Sequence, residues 1–414
     1  MTKKHRLMTP QVPHRRFGRT ELQMPVFTTG GMRYQQDWKD LPEAEITAES
    51  TAHVGRCIET SLSHGINHIE TARGYGSSEF QLGQVFPEFD RDDLIVQTKI
   101  GIRNSREEFV DSFETSMSRL KLKHVDLLSI HGINTEEDYQ KALNYGVPQM
   151  RKWREQGRIR FLGFSTHGPA DVIAKAVFSG LFDYFNVHWY FVNNDNWHAI
   201  QAAAHQDMGV FIISPNDKGG RLWDPPQKLR DFCQPLSPMQ FNDLYCLSRP
   251  EVHTLSLGAS RTGDYAEHVE AMKWYGDRRA ISETIAGRIR AEIDACFVPG
   301  WHRNYAAGIP PQCLCPGGVN VREIMRLYTW AKAMDMVEYA KGRYNMFSNG
   351  GPWFPGDTPE DYDVAEMEKA LSGAPDPRRI LRYLDEAHDL LKGEAVQRQS
   401  VAEKEDSSDA EGDA

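Results

Sequence analysis

Three apolar runs in the first third of the chain, each ending in an ionisable residue, constrain the fold most strongly. The runs end in Glu70, Lys99 and His131, and segments long enough for a helix separate them. In a parallel β/α barrel the carboxyl ends of all strands meet at one mouth, and the chemistry of such barrels lies there. The pattern therefore predicts a parallel barrel with three ionisable groups at its mouth.

The same alternation of strand-like and helix-like segments continues to residue 274, which favours an α/β protein with a (β/α)8 TIM barrel over a doubly wound sheet. A small hairpin over residues 15–29 is expected to lead into the first strand, and a long loop is expected over 215–236. A helix over 136–156 should be interrupted near Gly146 and Pro148. The predicted strands cover 24–29, 66–70, 94–99, 125–131, 158–165, 184–188, 210–214 and 254–257.

Tyr75 lies between two glycines in the loop that follows Glu70, so the backbone there can turn sharply and present the phenol to a cavity. A tyrosine hydroxyl has a pKa of about 10 in water and needs a nearby cation to act as an acid near neutrality. Lys99 could supply that charge, Glu70 could hold the lysine, and a histidine could orient a carbonyl oxygen. Alternatively, Glu70 and Lys99 form a structural ion pair covered by Tyr75 and His131. The spacing alone leaves both interpretations open.

These residues and the segments around them resemble the aldo-keto reductase family. The matching segments read Glu-Thr-Ala-Arg-Gly-Tyr-Gly-Ser-Ser-Glu, Gln-Thr-Lys and Asp-Leu-Leu-Ser-Ile-His. The resemblance implies that Tyr75 is the general acid, that Lys99 is its electrostatic partner, and that His131 orients the carbonyl. Glu70 would anchor the lysine, but the family has an aspartate at this position. The glutamate is longer by one methylene, about 1.5 Å of bond, so its reach toward Lys99 differs.

The resemblance also implies a nicotinamide cofactor, NADP or NAD with NADP slightly favoured, bound across the barrel mouth. No Gly-x-Gly-x-x-Gly motif follows a strand, so a Rossmann site is not indicated. His268 takes the place of an asparagine that the family sets against adenine. Asp264 takes the place of a second cationic residue, which leaves Arg261 alone to meet a 2′-phosphate. The positions that match cofactor contacts of the family are Gly31, Met32, Ser165, Thr166, Asn186, Ser214, Pro215, Lys218, Gly219, Gly258, Ser260, Arg261 and His268.

The C-terminal part resembles a branch of the family that carries a ferredoxin-like domain with a cysteine run ending in Cys-Pro. A complete run reads Cys-x2-Cys-x2-Cys-x3-Cys-Pro. This chain keeps only Cys313 and Cys315 of such a run, with Cys296 as a distant third cysteine. We therefore expect a helical domain without an iron-sulfur cluster or other metal. Zinc on the three cysteines and His302 is the alternative.

The length and composition of the chain limit its domain organisation, its partners and its location in the cell. A chain of 414 residues exceeds the roughly 250 of one barrel, so a C-terminal addition is expected. We expect an N-terminal tail over 1–14, the barrel over 15–278, a helical C-terminal region over 279–392 and an acidic disordered tail over 393–414. The net charge of −10 argues against nucleic acid or an anionic membrane as the main partner. The basic N-terminus has no apolar continuation and the six cysteines are scattered, so a cytoplasmic protein with reduced thiols is expected.

The sequence thus predicts an oxidoreductase that transfers a hydride between NAD(P) and an aldehyde or ketone, with a small carbonyl compound as substrate. Two alternatives remain open. One is a barrel that binds the nicotinamide cofactor without turnover and has a regulatory or interaction role. The other is a redox protein that uses a metal on Cys296, Cys313 and Cys315. The sequence identifies neither the substrate nor the oligomeric state.

Overall fold

Eight parallel strands close into a barrel in chain order, with β8 returning to β1. The computed structural model describes residues 11–349, 354–360 and 362–396. Almost every strand residue is buried, as expected for a parallel sheet covered by helices. The predicted (β/α)8 barrel with a helical C-terminal region is confirmed. The strands are β1 Phe27–Gly30, β2 His68–Glu70, β3 Ile95–Ile100, β4 Val125–His131, β5 Ile159–Ser165, β6 Tyr184–Val187, β7 Gly209–Ile212 and β8 Thr254–Ser256.

Helices connect consecutive strands. Several begin at a side chain that caps the first turn: Thr47 accepts a hydrogen bond from the Ser50 N–H, and Ser105 accepts one from the Glu108 N–H. The helices of this part are Ala48–Ser63, Ser78–Val85, Arg106–Leu120, Glu136–Lys141, Val147–Glu155, Ala170–Phe178, Trp197–His205, Pro238–Leu247 and Tyr265–Ala271.

The helical segment after β4 is interrupted earlier than predicted. A π-helical turn spans Ala142–Gly146, and the α-helix resumes at Val147 with Pro148 in its first turn. A Cβ atom on Gly146 would lie 3.1 Å from Ile130 Cδ1 of β4 and 2.8 Å from Ile102 Cδ1, so the helical segment approaches the strand closely there. The π-helical turn and Gly146 therefore let the helix approach the sheet. The interruption comes just before Pro148, which has no N–H to donate to the preceding turn.

An antiparallel hairpin precedes the barrel. Its second strand ends at Pro25, inside the range 24–29 that was predicted for the first barrel strand. Gln23–Pro25 pairs with His14–Arg16, and the chain bends at Val26 before β1 begins. The prediction of one strand over 24–29 was therefore wrong, because Pro25 and the bend separate two strands. The hairpin residues lie in one apolar cluster with residues of the barrel strands: Phe17, Leu22, Met24, Ile95, Leu127, Tyr184 and Phe211.

The chain forms two compact units. The first comprises residues 11–218 and 239–281, and the second comprises residues 219–238 together with the described residues from 282 onward. Segment 219–238 contains a helix, so the loop predicted over 215–236 was only partly correct. Within the second unit Lys228 Nζ lies 2.7 Å from Glu292 Oε1, which ties the segment to a later helix. The helices in or entering this unit are Gln227–Cys233, Arg278–Cys296, Trp301–Asn304, Val321–Met334, Val337–Tyr344, Val364–Ala370 and Pro377–Leu391.

The second unit has an aromatic core. Phe297 and Trp301 stack with their ring centres 5.0 Å apart, and Trp301 Nε1 donates a hydrogen bond to Thr329 Oγ1 at 2.8 Å. The helices Val321–Met334 and Val337–Tyr344 are separate, because Asp335 adopts a left-handed conformation with φ of 58° between them. The acidic tail was predicted over 393–414, and its residues from 397 onward lie outside the part of the chain that the structure describes.

The cysteines of the described chain are free thiols. Cys313 is exposed, whereas Cys315 is buried. Among the described residues, no three His, Cys, Asp or Glu side chains are grouped in a way that could hold a metal ion. None of the helices in the same part of the chain combines the length and the apolar composition that a membrane crossing requires.

Candidate active site

The ends of β2, β3 and β4 bring three of the predicted catalytic side chains to one place. Strand register pairs Glu70 with Gln97, and Lys99 with Ser129, so the carboxylate and the ammonium leave neighbouring strands close together. Lys99 Nζ pairs with Glu70 Oε1 and also donates to the Thr71 carbonyl oxygen at 2.9 Å. Both side chains are almost fully buried. The longer carboxylate therefore still meets the lysine.

Tyr75 lies over this ion pair. Its ring centre is 4.6 Å from Lys99 Nζ and 5.6 Å from the centre of the His131 ring, which meets it edge-on at 88°. The four predicted catalytic side chains, Glu70, Tyr75, Lys99 and His131, are thus neighbours in the structure. Trp38 also contacts the Tyr75 ring edge-on, with centres 6.4 Å apart, and forms another wall of the site.

The loop that carries Tyr75 depends on a glycine. Gly76 has a φ of +52°, and a Cβ atom there would lie 1.9 Å from the Asp37 carbonyl oxygen. No other residue fits without moving the backbone. The Ser78 N–H donates to the Tyr75 carbonyl oxygen at 3.0 Å, so the tyrosine backbone leads directly into the helix Ser78–Val85.

Burial governs the electrostatics of this site. It lowers the pKa of Lys99 well below its ordinary value, because an ammonium loses its hydration inside the barrel. The adjoining Glu70 carboxylate opposes that shift by favouring the charged amine. The charge of the lysine therefore depends on the balance between its burial and the attraction of the Glu70 carboxylate.

A polar network crosses the barrel interior toward the predicted nicotinamide position. Gln97 Nε2 donates to Asn186 Oδ1 at 3.3 Å and to Ser129 Oγ at 3.2 Å. The Ser129 hydroxyl in turn donates to Tyr184 Oη at 2.9 Å. The amide nitrogen of Asn186 is buried and has no hydrogen-bond partner among the described residues. A carboxamide oxygen is an acceptor that fits such a donor.

The other residues predicted near the nicotinamide lie around this network. Ser165 Oγ accepts from the Gly132 N–H at 3.1 Å, and Thr166 Oγ1 donates to the Ile133 carbonyl oxygen at 2.8 Å. Both hydroxyls therefore hold the loop after β4.

In the loop after β1, the Gly31 N–H donates to the Glu70 carbonyl oxygen at 2.7 Å. A Cβ atom on Gly31 would lie 2.7 Å from Ser78 Oγ, so the position requires a glycine. The next residue, Met32, is partly exposed.

The loop after β7 turns sharply. Ser214 has a φ of +53°, and the Lys218 N–H donates back to the Ser214 carbonyl oxygen at 3.1 Å. The buried Asn242 amide holds Pro215 by donating to its carbonyl oxygen at 3.1 Å. Gly219, the next predicted residue, begins the segment that belongs to the second unit.

His268, predicted as a cofactor contact, lies in the interior of the first unit. Its Nδ1 is 2.5 Å from Asp243 Oδ2, and its Nε2 is 3.2 Å from Asn216 Nδ2. Asn216 also donates to the Leu257 carbonyl oxygen at 2.7 Å. Burial alone would lower the pKa of His268, but the Asp243 carboxylate raises it above its ordinary value. The histidine thus links a helix to the loop after β7. Sequence reasoning missed Asp243, which belongs to no motif.

The residues after β8 form a turn around Asp264. Its carboxylate accepts from the Ser260 and Arg261 N–H groups, each at 2.9 Å. The Arg261 side chain is 78% exposed and lies 3.0 Å from the same carboxylate. Burial alone would raise the pKa of Asp264, but these hydrogen bonds and the guanidinium hold it below its ordinary value. Gly258, with a φ of +62°, opens the turn.

The barrel part of the chain is similar to known proteins. Residues 27–273 match the Aldo/keto reductase family. L-galactose dehydrogenase of Arabidopsis thaliana is 24% identical over 298 residues, which cover 65% of this chain and 89% of that protein. The solved structure of a Bacillus halodurans aldo-keto reductase in its holo form superposes with a TM-score of 0.55 at 18% identity, covering 66% of this chain and 96% of that one.

A Klebsiella pneumoniae aldo/keto reductase solved in complex with NADP and acetate gives a TM-score of 0.52 at 16% identity, covering 67% of this chain and 96% of that one. These structural similarities describe the barrel. The family match is stronger evidence, because it spans more than half of the chain and includes all four residues of the site. The chain therefore belongs to the aldo/keto reductase family, and the proteins that it matches include oxidoreductases.

Proposed function

We propose that this protein reduces an aldehyde or ketone with NADP or NAD as cofactor, or catalyses the reverse oxidation, and that Tyr75 is the acid and base. The observation that supports this most directly is the contact of Tyr75 with both Lys99 and His131 at the mouth of the barrel. An ammonium beside a phenol stabilises the phenolate, so the phenol releases its proton more readily.

Each residue has one task in this scheme. A nicotinamide bound at the mouth would supply a hydride to the carbonyl carbon. The His131 imidazole donates a hydrogen bond to the carbonyl oxygen and orients it. Tyr75 passes its proton to that oxygen as the negative charge develops, and Lys99 stabilises the phenolate that remains. Glu70 keeps the lysine charged and in place.

Asn186 is the residue that fits the cofactor best, because its buried amide nitrogen can donate to the nicotinamide carboxamide. At the other end of the site, Arg261 is exposed and could meet a 2′-phosphate, although it already pairs with Asp264. NADP is therefore slightly favoured, and the solved Klebsiella relative with bound NADP is consistent with it. We assign His268 a different role from the one predicted: it holds the loop after β7.

Hydride transfer tests the proposal directly. The absorbance of reduced cofactor should fall when the protein meets a panel of aldehydes and ketones with NADPH, and more slowly with NADH. If no compound of the panel is reduced while the protein binds NADPH, the alternative of a nicotinamide-binding barrel without turnover replaces this one. Binding of neither cofactor would reject both.

A further inference from the structure

A buried glutamine lies inside the barrel, one layer below the Lys99 ammonium. Gln97 and Lys99 are two residues apart on β3, so their side chains point to the same face of the strand. Gln97 is completely buried, and so are the side chains that it contacts across the barrel, Asn186 and Ser129. None of the steps of the proposed reduction uses Gln97. A polar side chain in this position therefore calls for an explanation.

The amide of Gln97 is used as a double donor. One N–H group donates to Asn186 Oδ1 at 3.3 Å and the other to Ser129 Oγ at 3.2 Å. The Ser129 hydroxyl donates in turn to Tyr184 Oη at 2.9 Å, so its oxygen is left to accept from Gln97. Both N–H groups of the glutamine consequently have an acceptor.

His68 favours this orientation of the amide from the other side. Its Nδ1 lies 2.7 Å from Thr28 Oγ1, so Nε2 is the ring nitrogen that remains for Gln97. Burial lowers the pKa of His68 to about 3, and the neighbouring Gln97 side chain opposes that shift, as an oxygen beside the imidazole does. With the amide reversed, two N–H groups would face this one ring nitrogen. A buried N–H without an acceptor is unfavourable.

The orientation of Gln97 determines which end of the Asn186 amide is available to a ligand. Asn186 Oδ1 is occupied by Gln97, whereas Asn186 Nδ2 is buried and has no hydrogen-bond partner among the described residues. Strand register places Asn186 in one row with Ser165 and His131, at the end of the barrel where the catalytic side chains lie. The asparagine therefore offers a donor, and not an acceptor, to a molecule bound there.

We propose that Gln97 is a positioning residue for the cofactor: by donating to Asn186 Oδ1, it holds the Asn186 N–H toward the carbonyl oxygen of the nicotinamide carboxamide. This inference rests on the proposed function, because it needs a nicotinamide at the mouth of the barrel. It gives Gln97 a task in cofactor binding and none in proton transfer.

A double-mutant cycle read by calorimetry tests the positioning role. We expect Gln97→Met to raise the Kd of NADP about two- to tenfold, because the substitution removes the hydrogen bond that fixes the Asn186 amide. In an Asn186→Ala background the same substitution should leave the Kd unchanged, since the residue through which Gln97 acts is absent. Gln97→Asn, whose shorter amide does not reach Asn186, replaces Gln97→Met in the cycle if the methionine variant does not fold. Gln201→Met, at an exposed glutamine of the helix Trp197–His205, should keep the wild-type Kd.

A cofactor analogue tests which end of Asn186 faces the ligand. The 3-acetylpyridine analogue of NADP keeps the carbonyl oxygen but has no amide N–H. If Asn186 donates to that oxygen, Gln97→Met should weaken binding of the analogue and of NADP by the same factor. Weaker binding of NADP alone would mean that Asn186 presents its oxygen to the carboxamide N–H, which contradicts the proposed orientation.

Two further outcomes would overturn the proposal. In the first, Gln97→Met raises the Kd by the same factor with and without Asn186, so that Gln97 does not act through the asparagine. In the second, Gln97→Met lowers the stability in denaturant unfolding but leaves the Kd unchanged, which would make Gln97 a structural residue only. A wild-type protein that binds neither NADP nor NADPH would reject the proposed function together with this role. A protein that binds and reduces, but shows either of the two outcomes, would reject the positioning role alone.

Discussion

The Lys99 ammonium lies 4.6 Å from the centre of the Tyr75 ring. This proximity places the phenol ring beside the buried pair that Lys99 forms with Glu70. A catalytic role for these residues and a purely structural role make different predictions for single substitutions.

We expect Tyr75→Phe to lower kcat by about 10²- to 10⁴-fold, because the variant keeps the ring but has no proton to give. The dissociation constant of NADPH should not change, since Asn186 and the loops after β7 and β8 would hold the cofactor. Steady-state kinetics and fluorescence titration measure the two effects. Tyr139→Phe, at a tyrosine of the helix Glu136–Lys141, is the matched control. Unchanged turnover in Tyr75→Phe would assign the acid role to another residue.

Glu70→Gln should shift the pH profile of reduction. The variant removes the negative charge that favours the Lys99 ammonium, so the already lowered pKa of Lys99 should fall further. The loss of activity on raising the pH should then begin at a lower pH than in the wild-type protein. Glu70→Asp should retain the wild-type profile only if the lysine moves to meet the shorter side chain. A Glu70→Gln variant with the native rate over the whole pH range would show that the ion pair takes no part in the reaction.

Asp126 should stabilise the barrel in a pH-dependent way. Burial would raise the pKa of Asp126, but Arg91, the Val96 N–H and Arg160 hold it below its ordinary value. A carboxyl whose folded-state pKa is lowered stabilises the fold above its unfolded pKa of about 4, and that contribution is lost as the pH falls through the folded pKa.

We therefore expect Asp126→Asn to lower the free energy of unfolding by about 2–4 kcal/mol at neutral pH. The difference from wild type should shrink below pH of about 4. Denaturant unfolding at several pH values measures both, with Asp389→Asn as an exposed control. A difference that does not depend on pH would mean that the charge of Asp126 is not what stabilises the barrel.

His268→Asn, which restores the residue that the family commonly has, should destabilise this protein by about 2–4 kcal/mol, because Asp243 loses its buried partner. The shorter amide cannot reach both Asp243 and Asn216. Denaturant unfolding measures the loss, and His205→Asn is the exposed control. A variant of unchanged stability that binds NADPH more tightly would return His268 to the adenine role.

The cysteines should carry no metal. Cys315 is buried and Cys313 is exposed, and Pro310 and Pro311 beside them have no coordinating side chain. Elemental analysis of anaerobically prepared protein should find no stoichiometric iron or zinc. Its visible spectrum should show no absorption of an iron-sulfur cluster. The Cys313→Ser/Cys315→Ser variant should keep the reductase activity. One metal equivalent that disappears in this variant would show the expectation to be wrong.

The strand ends with Glu70, Lys99 and His131 could be predicted because a charged or polar group at the end of an apolar run is a local signal. Other features depend on contacts between residues far apart in the chain. The pairing of Asp243 with His268, and of His167 with His188 and Lys218, follows from neighbouring barrel strands, and no spacing in the sequence encodes it. The break at Val26 has a local signal in the sequence, because Pro25 argues against an unbroken strand.

The division of the chain also has a consequence for its synthesis on the ribosome. Residues 219–238 precede β8, but the partners that hold them, such as Glu292 for Lys228, follow it. During synthesis, all eight barrel strands can therefore pair before the helices that contact residues 219–238 have been made. In a polypeptide truncated after residue 278 these helices would be absent, and residues 219–238 would have no contacts with them. Cleavage of a single peptide bond consequently cannot separate the two units, because residues 219–238 of the second unit lie between segments of the first. Almost all of the second unit nevertheless lies at the end of the chain.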